Sequence, residues 1–188
     1  MSIEVRPVTP SRWDDLVALF GDNRGTSSCW CMWWRQTAAE FDAGLGAPNR
    51  EAMQQLVQRR RVPGLVAYQD ATPVGWVSVA PREEFGRIER SRTLGGVPGD
   101  AVWSIVCFYI HRSARRSGVG TALLEAAIAH AAERGARIVE AYPVDPAGRA
   151  KQSAELFTGV PSMFEKVGFR EVERRNAGRP IMRLPLRA

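Results

Sequence analysis

The stretch VWSIVCFYIHRSARRSGVGTALLEAAIAHAA, Val102 to Ala132, decides how this chain is read. Val102 to Ile110 is rich in β-branched and aromatic residues and holds no Gly or Pro, which is the composition of a strand. A short polar loop, His111 to Ser117, follows with three arginines. From Gly118 the pattern becomes helical, with Leu123, Leu124, Ala127, Ile128 and Ala131 at spacings of three and four.

The loop carries the chemistry. Arg115-Arg116-Ser117-Gly118-Val119-Gly120 fits R-x-x-G-x-G. Glycine lets a ligand approach the backbone because no Cβ stands in the way. A helix start offers N–H groups outside the helical ladder and the positive end of the dipole. Together they suit a phosphate or diphosphate, and Arg115 and Arg116 add charge-assisted hydrogen bonds. A strand-to-helix turn with solvated arginines is the structural alternative. Two other anion loops do not fit. The Walker A pattern needs Gly-Lys-Ser/Thr, and the dinucleotide fingerprint needs a third Gly where this chain has Thr121, Ala122 and Leu123.

In this order of strand, loop and helix the stretch resembles motif A of the GNAT (Gcn5-related N-acetyltransferase) superfamily, V-x-P-x-x-R-G-x-G-x-G. Here it reads Ile110 to Gly120, with Arg112 at the usual Pro and Arg116 at the usual first Gly. About fifty residues on, Phe164-Glu165-Lys166-Val167-Gly168-Phe169 resembles the family's Y-E-K-x-G-F. The match runs from about Val74 to the C-terminus.

The resemblance implies one α/β (α+β) domain over residues 1–188. Its mixed, mostly antiparallel sheet of about seven strands would be flanked by helices and splayed at the central strand. It implies acetyl transfer from acetyl-CoA, as cosubstrate and without a metal, to a primary amine. Phe108 and Ile110 would pair with the pantetheine arm through their backbone, and an N–H near Phe108 or Tyr109 would polarise the thioester carbonyl. Arg115, Arg116, Ser117, Gly118, Val119, Gly120 and Thr121 would hold the diphosphate. The family's usual proton-donating Tyr is here Phe164, which has no proton to give. Tyr109, Tyr142 and Ser162 are the substitutes. Glu140 is the candidate base, on one strand face with Tyr142; Glu83 and Glu84 are other carboxylates near the site. A non-catalytic acyl-CoA-binding sensor or regulatory module is the alternative function.

Composition narrows the classes. The chain has 188 residues, enough for one domain with a sizeable core. No apolar run approaches the roughly twenty residues needed to span a bilayer, and MSIEVRPVTP lacks a signal-peptide layout; the expectation is a cytoplasmic protein. Cys29, Cys31 and Cys107 are too few for a disulfide framework. One residue between Cys29 and Cys31 is not zinc spacing, and Cys107 reads as an inert core residue. The net charge of +6 suits an anionic ligand. The arginines are scattered apart from Arg59-Arg60-Arg61, so nucleic acid is not the expected partner.

Along the chain, Ile3 to Val8 reads as a strand and Ser11 to Phe20 as a helix capped by Ser11. Ser27 to Arg35, SSCWCMWWR, holds Trp30, Trp33 and Trp34. It is either a hydrophobic plug or, as the resemblance favours, a wall of the acceptor pocket suited to a flat or cationic substrate. An exposed aromatic stretch would also suit a homodimer contact. Glu40 to Pro48 reads as a loop and Arg50 to Arg61 as a helix capped by Asn49. Gly64 to Gln69 and Pro73 to Ala80 form a hairpin turned at Asp70-Ala71-Thr72. Pro81 to Pro98 reads as a polar stretch, either an exposed excursion that contributes to acceptor selection or a solvated loop. Arg137 to Tyr142 is a strand, Pro143 to Gly159 a long loop, and Pro161 to Val167 a short helix closed by Gly168. Phe169 to Arg174 and Ile181 to Leu186 form a final antiparallel pair.

Overall fold

A computed structural model of the chain describes residues 2–21, 23–146 and 153–186. Among them, seven strands form one sheet in the order β1-β2-β3-β4-β5-β7-β6. The strands are β1 (Ile3–Pro7), β2 (Gly64–Gln69), β3 (Thr72–Pro81), β4 (Val102–Ile110), β5 (Ile138–Ala141), β6 (Arg170–Asn176) and β7 (Arg179–Pro185). Neighbours are antiparallel except β4 and β5. A parallel pair needs a crossover, and helix α6 (Val119–Glu133) supplies it. The expected mostly antiparallel sheet is therefore present, and so is the expected hairpin. Asp70 and Ala71 turn that hairpin at φ 47° and 64°, the left-handed pair that matches strand twist.

The sheet is covered on both faces, so its central strands are apolar at nearly every position. On one face Leu65, Ala67, Val77, Val79 and Ile105 pack under Leu123, Leu124, Ala127 and Ala131 of α6. On the other, Val66, Tyr68 and Trp76 pack against Trp13, Leu16 and Phe20 of α1 (Trp13–Gly21) and Met53 and Val57 of α4 (Ala47–Gln58).

The splay comes from two features of β4. Its pairing with β5 runs only from Val102↔Ile138 to Ile105↔Ala141. On the β3 side the register jumps from Ser78↔Cys107 to Val79↔Ile105, so Val106 is an extra residue. Such a bulge bends and twists a strand, and β4 continues to Ile110 without β5 beside it.

Local expectations in the first hundred residues need correction. Helix entry begins at Thr9, with Pro10 in the first turn of a 3-10 turn (Pro10–Arg12) leading into α1. Ser11 lies inside that turn. Proline's fixed φ and missing N–H favour the first helical position. Glu40 to Pro48 is largely helical. Helix α3 (Ala38–Ala43) starts from a capping box in which Thr37 and Glu40 bond each other's backbone. Gly46, not Asn49, caps α4. Asn49 is fully buried, and its Nδ2 donates to the Phe41 carbonyl at 3.4 Å, tying α3 to α4.

Pro81 to Pro98 is not a solvated excursion. A 3-10 turn (Arg82–Glu84) and α5 (Gly86–Glu89) dock on the sheet through buried Phe85, Ile88, Leu94 and Val97. The four apolar residues spaced among the charges anchor it. No helix among the described residues is long and apolar enough to cross a membrane.

Candidate active site

The open edge of β4 and the turn after it form one continuous surface. His111 N–H donates to the Val74 carbonyl on β3 at 2.9 Å. Backbone groups alternate sides along a strand, so the Phe108 and Ile110 N–H groups point into the splay and that of Tyr109 points to β3. Of the two expected carbonyl donors, only Phe108 has its N–H on the open side. There it donates to the carbonyl of Phe157 at 2.6 Å.

Beyond β4, a 3-10 turn (Arg112–Ala114) leads to Gly118, the cap of α6, at φ +88°. Only glycine enters that region without strain. The Ala122 N–H closes the first turn onto the Gly118 carbonyl, so the N–H groups of Val119, Gly120 and Thr121 precede the helical ladder. A Cβ on Gly120 would lie 3.3 Å from Ile110 Cδ1 and 3.8 Å from Met163 Cε. The side chains of Arg115, Arg116, Ser117 and Thr121 are exposed around the turn, and Val119 is buried beneath it. Ser117 Oγ donates to the Ala114 carbonyl at 2.7 Å and braces the loop.

A cavity of about 620 Å³ opens beside this edge. Phe108, Tyr109, Arg115, Trp33, Trp34, Phe41, Phe157 and Arg179 are among its lining residues. A polar recess lined by Asn23, Tyr109, His111, Arg112 and Arg115 adjoins it. The structure thus brings Trp33 and Trp34 to the expected cofactor edge. Trp33 meets Phe41 edge to face and lies under the Arg87 guanidinium, 3.8 Å from the ring centre.

Trp30 is not part of that wall. It is buried between Trp13 and Phe20, with ring centres at 5.8 and 5.5 Å, and its Nε1–H donates to the Ser27 carbonyl. Residues Trp30 and Cys31 both adopt left-handed backbone, φ 45° and 54°. This reversal follows the short helix α2 (Arg24–Cys29) and separates the core residue Trp30 from the cavity residues Trp33 and Trp34.

Glu140 and Tyr142 do share a strand face, but it faces inward. Both are fully buried and neither lines the cavity. The Tyr142 hydroxyl donates to Glu140 Oε1 and lies 3.1 Å from Ser104 Oγ. Arg183 Nε donates to Glu140 Oε2 at 2.5 Å, and Arg82 Nη1 approaches Oε1 at 3.5 Å. Burial, reinforced by the Glu140 charge, pushes the Tyr142 phenol well above its ordinary value. This corrects the expectation that the pair exchanges protons with a substrate: its groups are spent on one another. Arg183 and Arg82 also donate to the Val97 carbonyl, each at 2.8 Å, so the network pins the docked 81–98 segment to the sheet.

Phe164 lies in the α6-side core, against Phe108 and Phe169. Ser162 and Glu83 do not line the cavity; Glu84 is paired with Arg35 at 2.7 Å and with Arg61 at 3.2 Å. Tyr109 is the expected proton donor that reaches the cavity.

Sequence reasoning missed the thiols. Cys29, Cys31 and Cys107 all line the cavity. Cys31 Sγ accepts hydrogen bonds from the Cys107 thiol and from Trp76 Nε1, the latter at 3.3 Å. These donors, Cys107 foremost, outweigh burial and hold the Cys31 thiol down to about 7; Cys107, as the donor, is pushed well up. Burial raises Cys29 to about 11. Labelling of Cys31 by iodoacetamide is therefore expected to climb about tenfold per pH unit up to pH about 7 and then level off. Peptide mass spectrometry across pH 5–9 reads this; equal labelling of Cys29 and Cys31 at pH 7.5 would contradict it. No three metal-binding side chains gather among the described residues. Arg179, Phe41 and Phe157 were also missed, because nothing in their local sequence marks them.

Known proteins share this architecture. The PaiA N-acetyltransferase of Thermoplasma acidophilum, solved with coenzyme A, is 16% identical, with a TM-score of 0.54, over 99% of this chain and 100% of that one. A ribosomal-protein-alanine N-acetyltransferase of Brucella melitensis is 20% identical, with a TM-score of 0.56, over 97% and 99%. Salmonella typhimurium yncA, solved with acetyl-CoA, is 16% identical, with a TM-score of 0.57, over 100% and 95%. At these identities the likeness is one of fold. No curated protein matches the chain. The profile of the acetyltransferase (GNAT) family matches residues 28–153, two thirds of the sequence, in the region that holds the β4 edge, the glycine turn and the aromatic wall. The chain belongs to the GNAT acetyltransferase family.

Proposed function

We propose that the protein is an N-acetyltransferase that moves the acetyl group of acetyl-CoA to a primary amine held in the aromatic cavity. The observation that carries this reading is the edge of β4 beyond Ile105, which β5 does not cover and which leads from the cavity at Phe108 to the glycine turn at Gly118. That arrangement suits a long molecule with a reactive group at one end and a diphosphate at the other.

The residues present fit acetyl-CoA. The N–H groups of Val119, Gly120 and Thr121, with Arg115 and Arg116, suit the diphosphate. The Ile110 N–H group suits an amide of the pantetheine arm. Acetyl-CoA, when bound, supplies an acetyl group activated as a thioester. The Phe108 N–H is placed to polarise a carbonyl once the Phe157 carbonyl yields it. Trp33 and Trp34 position the acceptor and keep water from it. The Tyr109 hydroxyl is the proposed proton donor to the departing thiolate. Cys31 is the cavity group with a pKa near neutrality and suits acceptance of the amine's proton.

Calorimetric titration with acetyl-CoA, with ATP as control, tests the reading. Micromolar binding of acetyl-CoA and none of ATP is expected. No binding would overturn it. Binding without thiol release across an amine panel would instead favour the sensor alternative, for which Phe164, with no proton to give, is the motivating observation.

A further inference from the structure

Arg179 stands at the start of β7 and lines the cavity. Its Nη1 donates to the Tyr142 carbonyl at 2.9 Å and to Thr158 Oγ1 at 3.1 Å. Its guanidinium lies 5.9 Å from the centre of the Trp34 ring. Nearby arginines are matched to carboxylates: Arg183 and Arg82 to Glu140, Arg174 to Asp145 and Glu171, Arg175 to Glu173, Arg35 to Glu84. Arg179 has no carboxylate partner among the described residues. Desolvation alone acts on it, holding its pKa below the ordinary guanidinium value. A charge taken from water without a counter-charge is costly, and here it borders a cavity lined by aromatic rings.

The rest of the lining is consistent. The charged side chains on it are Arg115 and Arg179, and no carboxylate joins them among the described residues. A polycationic acceptor would meet like charge there. An anion would meet Arg179, and a flat ring would meet Trp33 and Trp34.

We infer that the acceptor is an aromatic amine bearing a carboxylate, of the aromatic amino acid kind, with its carboxylate on Arg179 and its ring on the Trp33/Trp34 wall. This rests on the acetyltransferase reading above. Both of these hydrogen bonds of Arg179 run through Nη1, so neither uses the Nε and Nη2 donors. A carboxylate there would complete a two-pronged pair. The cation–π contact with Trp34 holds the guanidinium plane in place meanwhile.

The test uses full-length protein saturated with coenzyme A, and indole-3-propionate, which has the ring and carboxylate but no amine. Quenching of tryptophan fluorescence or calorimetry is expected to show binding, weakened about 30-fold in Arg179→Gln and less in Arg179→Lys. In turnover, tryptophan and phenylalanine are expected to exceed tryptamine, phenethylamine and spermidine in kcat/KM by about tenfold or more. Arg179→Gln should lower kcat/KM for tryptophan about 30-fold more than for tryptamine. A purely structural Arg179 would instead lower both alike. Failure of indole-3-propionate to bind, preference for spermidine or tryptamine, or equal losses in the variant would each overturn the inference. Acetyl-CoA titration of the same samples separates this failure from failure of the acetyltransferase reading, because a wrong acceptor class leaves coenzyme binding intact.

Discussion

Gly120→Val is expected to weaken acetyl-CoA binding by about 100-fold, or about 2.7 kcal/mol, with little change in thermal midpoint. Gly120 lies in the first turn of α6, where helical φ is open to any residue. A Cβ there meets the flexible ends of Ile110 and Met163 at 3.3 and 3.8 Å, not backbone. Valine at that position therefore leaves the fold standing. It does add two methyl groups at the mouth of the N–H cluster, where a diphosphate must approach closely to feel the dipole. Gly118→Val is less clean, since its φ of +88° would add backbone strain to the loss of binding. Calorimetry with acetyl-CoA and a circular-dichroism melt read the two effects separately. Unchanged affinity in Gly120→Val would remove the phosphate-loop assignment.

The second large effect is on stability. Glu140→Gln is expected to cost about 3–5 kcal/mol, because it leaves the buried Arg183 guanidinium without the carboxylate that compensates its burial, while Arg82 keeps Glu89 at 2.8 Å. For a domain of this size that corresponds to a fall in midpoint of roughly 10 °C. The Tyr142 hydroxyl also loses its strongest acceptor. Glutamine keeps the shape, so the loss reports charge and not volume. Acetyl-CoA affinity measured at low temperature should stay near that of the unaltered protein. If the midpoint held while turnover collapsed, Glu140 would be a proton-transfer residue after all. Denaturant unfolding and single-temperature kinetics on one preparation decide between the two.

Much of this molecule is legible from residues alone. The strand at Val102–Ile110, the turn at Arg115–Gly120 and the helix after it depend on local composition and on hydrophobic spacing that changes from strand to helix at Gly118. The hairpin at Asp70-Ala71 and the final strand pair are equally local. Errors gather where neighbours in space outvote neighbours in sequence. Asn49 is a good cap by type, yet it is buried to hold Phe41's carbonyl. Thr37-Ala38-Ala39-Glu40 is a readable capping box that the Gly and Ala nearby obscured. In Pro81 to Pro98 the charges are plain, but the docking through Phe85 and Ile88 depends on a sheet face built by other segments.

By itself the sequence determined the strand–turn–helix unit that suits a diphosphate and the family to which the chain belongs, because both reside in contiguous residues whose backbone conformation is a local matter. Only the tertiary structure decided which side chains meet. It turned Glu140 and Tyr142 inward and put Trp30 in the core. It also converged Cys31, Cys107, Trp34 and Arg179 on one cavity from segments up to about 150 residues apart. The reason is physical: a strand's hydrogen-bond pattern says that it has two faces, but which face meets solvent, core or cavity depends on what packs against each.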